Sequence, residues 1–132
     1  MADNSTDISV RACMSELPRL MQSLAQGALE IGLSEDIALR LQLIAEELFT
    51  NTVSHGFGGD GDSTVLCRIT EAPSGILLRY IDSAPPYDIN DTPDQTASEE
   101  VIGGLGVALI RGLSKQVRYM RQKDTNVCEI LI

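Results

Sequence analysis

Two pairs of short apolar runs set the tightest limit on what this chain can fold into. "STVLCRITE" (63–71) and "GILLRYID" (75–82) are separated by "APSG", and "VRYMRQ" (117–122) and "VCEILI" (127–132) flank "KDTN". Short apolar runs broken by Pro, Gly, Asn and Asp read as β-hairpins. A further run, "TDISVRAC", alternates Ile8, Val10 and Ala12 with polar residues, the period of a half-buried strand. Hairpins give largely antiparallel pairing. A sheet built from them must bury one face, and the helical segments must supply the cover.

Those segments are legible. Leu17, Leu20, Met21, Leu24, Ala25, Ala28 and Leu29 recur at helical spacing, with Ser15 offered as the cap and Gly32 as the stop. Ser34 can cap a second helix carrying Ile37, Leu41, Ile44, Ala45, Leu48 and Thr52 on one side. Gly56, Gly58, Gly59 and Gly61 end it. A third helix, "LGVALIRGLSKQ", resumes after the glycines of a polar segment from Ser83 to Gly104. The expected order is β-α-α-β-β-loop-α-β-β. It makes a two-layer α/β sandwich with a mixed, mostly antiparallel sheet covered by helices on one face. A chain of 132 residues favours one domain over 1–132, with a core of ordinary size.

Composition narrows the function classes. The net charge of −9 disfavours non-specific binding to DNA or anionic membranes. Yet Arg111, Lys115, Arg118, Arg121 and Lys123, half of the ten basic residues, cluster near the C-terminus. They make a solvated face or a local site for an anion or acidic partner. Three widely spaced cysteines show no zinc pattern and fit reduced thiols. The polar start "MADNSTD" is unlike a signal peptide, and no apolar run is long enough for a membrane span. A soluble cytoplasmic protein is the expectation.

Three groups of residues stand out from this framework. In "IAEELFTNTVSH", Glu47, Asn51 and His55 fall at every fourth position. With Glu47 at zero, Asn51 stands at about 40° and His55 at about 80° around the helix. The apolar stripe centres near about 115°, so Glu47 and Asn51 occupy its edge and look along the border of helix and sheet. A carboxylate there is costly without a polar task, although core-edge placement alone could explain both residues. His55, at the helix end, suits capping or a bond to the glycine loop. Next, Asp82 ends an apolar strand before Ala84-Pro85-Pro86. It could accept from its own turn, or from a ligand amino group. Last, Gly103-Gly104-Leu105-Gly106 precedes a helix. Such glycines permit backbone approach to phosphate, although they match neither the P-loop nor the dinucleotide spacing.

Taken together, in order and spacing, these groups resemble the GHKL superfamily of ATPases and kinases, built on the Bergerat ATP-binding fold. Among its members the chain is most similar to bacterial anti-sigma-factor serine/threonine kinases. "EELFTNTVSHGF" resembles the N-box, "YIDSAPPYD" the G1 box and "GGLGVALIRGLSKQVRYMR" the G2 box with its following helix and strand. "DTNVCEILI" resembles the closing turn and strand.

The resemblance implies roles. Glu47 would be the general base. Asn51 would hold the magnesium ion that bridges ATP phosphates. Asp82 would accept from the adenine amino group. Ala84, Gly104, Leu105 and Gly106 would border the nucleotide, Tyr87 to Ile102 would form a lid, and Arg111 would lie near phosphate or partner. The implied partners are an anti-sigma-factor antagonist and a sigma factor, with homodimer formation. Where the family's G1 box carries glycine two residues after its aspartate, this chain has Ala84. Its Cβ would crowd the base or bar a positive φ. A non-catalytic ATP-dependent switch is the alternative. A detached histidine-kinase ATP-binding domain is a weaker one, since no helical hairpin with a phosphorylatable histidine precedes the domain.

Overall fold

A computed structural model describes residues 5–87 and 98–132, with side chains of 98–105 outside the description. Strand β1 (Ser5–Arg11) leads through a 3-10 turn (Met14–Glu16) into α1 (Leu17–Glu30). Ser15 was expected to cap that helix. It lies inside the 3-10 turn instead, and Glu16 occupies the cap position with Pro18 in the first turn. Gly32 does end α1, at φ +81. The Leu33 amide donates to the Ala28 carbonyl and the Gly32 amide to the Leu29 carbonyl, a paired closure that requires a left-handed residue. Ser34 then caps α2 (Glu35–Asn51), its Oγ accepting from the Ile37 amide at 3.2 Å.

After α2 the chain makes one π turn, Thr52–Gly56, in which the Phe57 amide reaches back five residues to the Thr52 carbonyl. β2 (Thr64–Ala72), β3 (Gly75–Asp82), α3 (Ser98–Leu113), β4 (Gln116–Gln122) and β5 (Thr125–Leu131) complete the order. The five strands run β1-β2-β3-β5-β4, antiparallel at every pairing. The expected two-layer α/β sandwich is thus the observed one.

Strand alternation sorts the sheet into two faces. Ile8, Cys67, Tyr80 and Cys128 share one register row and are buried with Leu20, Leu41, Ile44, Phe49 and Ile110 of the helices. On the opposite face the row one residue away reads Asp7, Arg68, Arg79, Glu129 and Arg118, all charged. Arg68 forks onto Asp7 at 2.7 and 3.0 Å and holds its carboxyl below the usual range.

Two boundaries differ from the sequence reading. The closing hairpin turns on Lys123 and Asp124 alone, because Gln122 already pairs with Thr125. Thr125 and Asn126 therefore belong to β5, and Lys123 takes φ +54. The glycine group was expected ahead of a helix, yet α3 begins at Ser98 and runs through Gly103, Gly104 and Gly106. Each glycine weakens a helix interior by about 1 kcal/mol relative to alanine. Of the expected lid, residues 88–97 lie outside the described residues, and 98–102 form the first turns of α3.

Candidate nucleotide site

The end of α2, the end of β3 and the start of β5 converge on one pocket. It is a narrow pocket of about 40 Å³ that opens to solvent, bordered by Leu48, Asn51, Gly56, Tyr80, Asp82 and Asn126, with Ala84, Tyr87 and Tyr119 at its side. Its walls are largely apolar and aromatic around a few fixed polar groups, the usual make-up of a small-molecule site.

Asp82 is buried among those groups, at 7% exposure. Its Oδ1 accepts from the Ala84 amide at 3.1 Å and from Asn126 Nδ2 at 2.9 Å. Its Oδ2 accepts from the Thr52 hydroxyl at 2.7 Å. That hydroxyl also lies 2.6 Å from the Tyr80 hydroxyl and 3.0 Å from the Leu48 carbonyl. One hydroxyl carries one proton. Burial lifts the Tyr80 phenol well above its ordinary pKa, so Tyr80 keeps its proton and donates to Thr52. Thr52 in turn gives its own proton to Asp82 Oδ2. Both readings of Asp82 thus have a counterpart here: it accepts from its own turn, and it borders a pocket.

Of the two conflicts expected of Ala84, the structure bears on the one over its backbone angle. Among the described residues the only non-glycine with positive φ is Lys123, so Ala84 carries no left-handed strain. Its Cβ is buried against Gly56 of the π turn. A Cβ placed on Gly56 would lie 2.8 Å from it. The glycine that makes room is across the pocket, not in the turn itself.

Glu47 and Asn51 stand half-buried on one edge of α2, as the helical wheel requires. Asn51 borders the pocket. Glu47, one turn earlier, meets α3: a Cβ on Gly106 would lie 2.5 Å from Glu47 Oε2. Gly106 is thereby the glycine of its group with a visible steric task. Gly104 and Leu105 fall in the stretch of α3 known by backbone alone. His55 does not continue the line, because the wider π turn carries it to an exposed position. Arg111 faces a separate shallow cleft with Ser114, Lys115 and Val117.

Asn126 was not singled out from the sequence, and it is the most connected polar side chain here. Its Nδ2 donates to Asp82 Oδ1, to the Ala84 carbonyl at 3.1 Å and to the Pro85 carbonyl at 3.0 Å. Its Oδ1 accepts from the Tyr119 hydroxyl at 2.5 Å, Arg121 Nη1 at 3.2 Å and the Tyr87 amide at 3.3 Å. An Asn just inside a strand, a residue type poorly suited to strands, was the available signal.

Comparisons with known proteins agree with this architecture. The model of the histidine kinase-like ATPase domain matches residues 10–131. Serine-protein kinase RsbW from Listeria monocytogenes serotype 4a (strain HCC23) is 26% identical over 113 residues, covering 80% of this chain and 72% of that protein. The RsbW of serotype 4b (strain CLIP80459) matches to the same extent. The crystal structure of the RsbU and RsbW domains of Rv1364c from Mycobacterium tuberculosis superposes with a TM-score of 0.68 at 16% identity, covering 96% of this chain. This chain spans 31% of that longer one, and the likeness is one of fold. With nearly its whole length matched by the family model, the chain belongs to the histidine kinase-like ATPase family, the GHKL class, and within it is similar to RsbW serine-protein kinases.

Proposed function

We propose that this protein is an ATP- and magnesium-dependent serine/threonine protein kinase that acts as an anti-sigma factor and phosphorylates an anti-sigma-factor antagonist. The observation that carries the reading is the shared address of Asn51 and Asp82. A potential cation ligand on a helix edge and a buried, oriented carboxylate border one pocket. The similarity to serine-protein kinases named RsbW supports the same class of reaction.

The residues present fit the nucleotide. Three of the roughly four lone-pair positions of a carboxylate are occupied at Asp82 by described partners, which leaves one on Oδ2 for an exocyclic amino group. Tyr80, Tyr119 and Leu48 supply apolar surface for a ring. Among the described residues no three His, Cys, Asp or Glu gather into a metal site. Magnesium would be held by the Asn51 carbonyl oxygen together with phosphates and water, in keeping with its habit of taking few protein ligands. Bound there, it would neutralise phosphate charge, which a chain of net charge −9 otherwise opposes.

Phosphoryl transfer asks a protein chiefly for positioning and charge stabilisation. Asp82 orients the base, and Asn51 fixes the phosphate end. Glu47, one helical turn from Asn51, accepts the proton of the incoming serine or threonine hydroxyl. The alternative, a nucleotide-gated binding module without transfer, draws on the contact of Gly106 with Glu47, which covers the carboxylate in this conformation. Single-turnover incubation with labelled ATP, magnesium and purified antagonist domains decides between them. Label appearing on an antagonist serine or threonine supports the kinase. ATP binding without transfer to any antagonist supports the module.

A further inference from the structure

Asn126 is held so that its two ends cannot exchange. Every group around its Oδ1 is a donor: the Tyr119 hydroxyl, Arg121 Nη1 and the Tyr87 amide. Every group around its Nδ2 is an acceptor: Asp82 Oδ1 and the Ala84 and Pro85 carbonyls. Turning the amide over would set like against like on both sides. Arg121 reinforces the arrangement by donating to the Ala84 carbonyl at 2.8 Å as well. Asp82, Asn126 and Arg121 are direct register partners on β3, β5 and β4, so the sheet itself sets their spacing.

We propose that Asn126, braced by Arg121 and Tyr119, is the positioning residue for base selectivity. Together with the Ala84 amide it fills Asp82 Oδ1 and so leaves only Oδ2 to face a ligand. This inference rests on the nucleotide-binding reading and extends it to which purine is taken. Oδ2 presents a pure acceptor. A ring edge bearing an amino group satisfies it, and one bearing a carbonyl sets oxygen against oxygen. Without the Asn126 amide, Asp82 keeps only the Ala84 amide on Oδ1 and the Thr52 hydroxyl on Oδ2, and water can enter beside Oδ1 and loosen its orientation. The acceptor is then no longer fixed, and the preference for an amino-bearing ring weakens.

The readout is the ratio of ATP to GTP dissociation constants from isothermal titration with magnesium. Damage that merely lowers the folded fraction does not move that ratio. The wild-type chain is expected to prefer ATP. Asn126→Ala should weaken ATP binding about tenfold, the scale of one lost hydrogen bond to a charged group, and leave GTP nearly unchanged. Arg121→Met, which keeps the stem and removes the guanidinium, should shift the ratio in the same direction by about threefold. It serves alone if Asn126→Ala does not fold. An ATP preference in the wild type that survives in the folded variants overturns this inference and leaves the nucleotide reading intact. A wild-type chain that binds neither nucleotide overturns both.

Discussion

The two ends of the candidate site are built differently. At the Asp82 end, a carboxylate, an amide, two tyrosines and a threonine are joined by hydrogen bonds across β3, β4, β5 and the π turn. At the Glu47 end, a half-buried carboxylate meets a glycine of α3, whose first half carries Gly103, Gly104 and Gly106. A buried, satisfied network is rigid, because moving any member leaves a polar group unpaired. A side chain against a glycine has room to move. Under the proposed function the difference divides the tasks: recognition falls to the strand-borne network, and the reacting group to the edge of α2 that faces α3.

Each test below loads one end and spares the other. Glu47→Gln keeps shape while removing the proposed base, so transfer should fall by about 10²–10⁴-fold with ATP affinity retained. Quench-flow phosphorylation beside titration checks it, and a parallel loss of affinity would show that the ends are not separable. Asp82→Asn should do the reverse, weakening ATP by about ten- to a hundredfold through loss of a charged acceptor. Residual transfer at saturating ATP should remain near the wild-type rate.

Gly106→Ala sharpens the comparison. Its methyl would meet Glu47 Oε2, the far end of a flexible side chain, so the carboxylate gives way rather than the helix. Alanine also favours helix by about 1 kcal/mol, so stability should change little. Transfer should nonetheless drop about tenfold, while the ATP:GTP ratio stays put. An unchanged rate would show that the contact with α3 does not bear on Glu47's task.

The smallest effect concerns the ground beneath the Asp82 end. Cys67 pairs with Tyr80 across β2 and β3, and burial raises its thiol pKa to about 12 from 9.0. Above pH 9 the unfolded chain releases this proton while the folded one keeps it, so stability is full below that pH and falls as pH rises towards 12. Between pH 8 and 10 the loss should be about 1 kcal/mol, read from urea midpoints. Cys67→Ala should flatten that limb, leaving the part due to Tyr80.

How much of this was legible in the sequence divides by distance along the chain. Local rules placed Ser34 and Gly32, because a cap and a left-handed stop depend on neighbours within one turn. Helical periodicity placed Glu47 and Asn51 on their edge, and three motifs in order carried the family. Non-local facts escaped. Asn126 acquires its role from register with Asp82, which no property of "KDTN" reveals. The neighbour of the Ala84 methyl was hidden, because Gly56 lies twenty-eight positions away in the chain. His55 was extrapolated along a period that the backbone abandons just after Asn51. Ser15 lost its capping role to a 3-10 turn, which closes its bonds over one residue fewer.

That departure after Asn51 carries a consequence for how the chain tolerates change. A π turn is a phase shift: it holds one more residue between bonded groups than an α turn does. Removing a residue from Thr52–Gly56 would return the helix to its former phase and swing everything beyond it by about 100°. Gly56 would leave the methyl of Ala84, and a bulkier neighbour would take its place. Substitutions within the turn alter one contact each, whereas a single deletion misaligns them all. The length of this turn, more than its composition, is therefore what the pocket depends on.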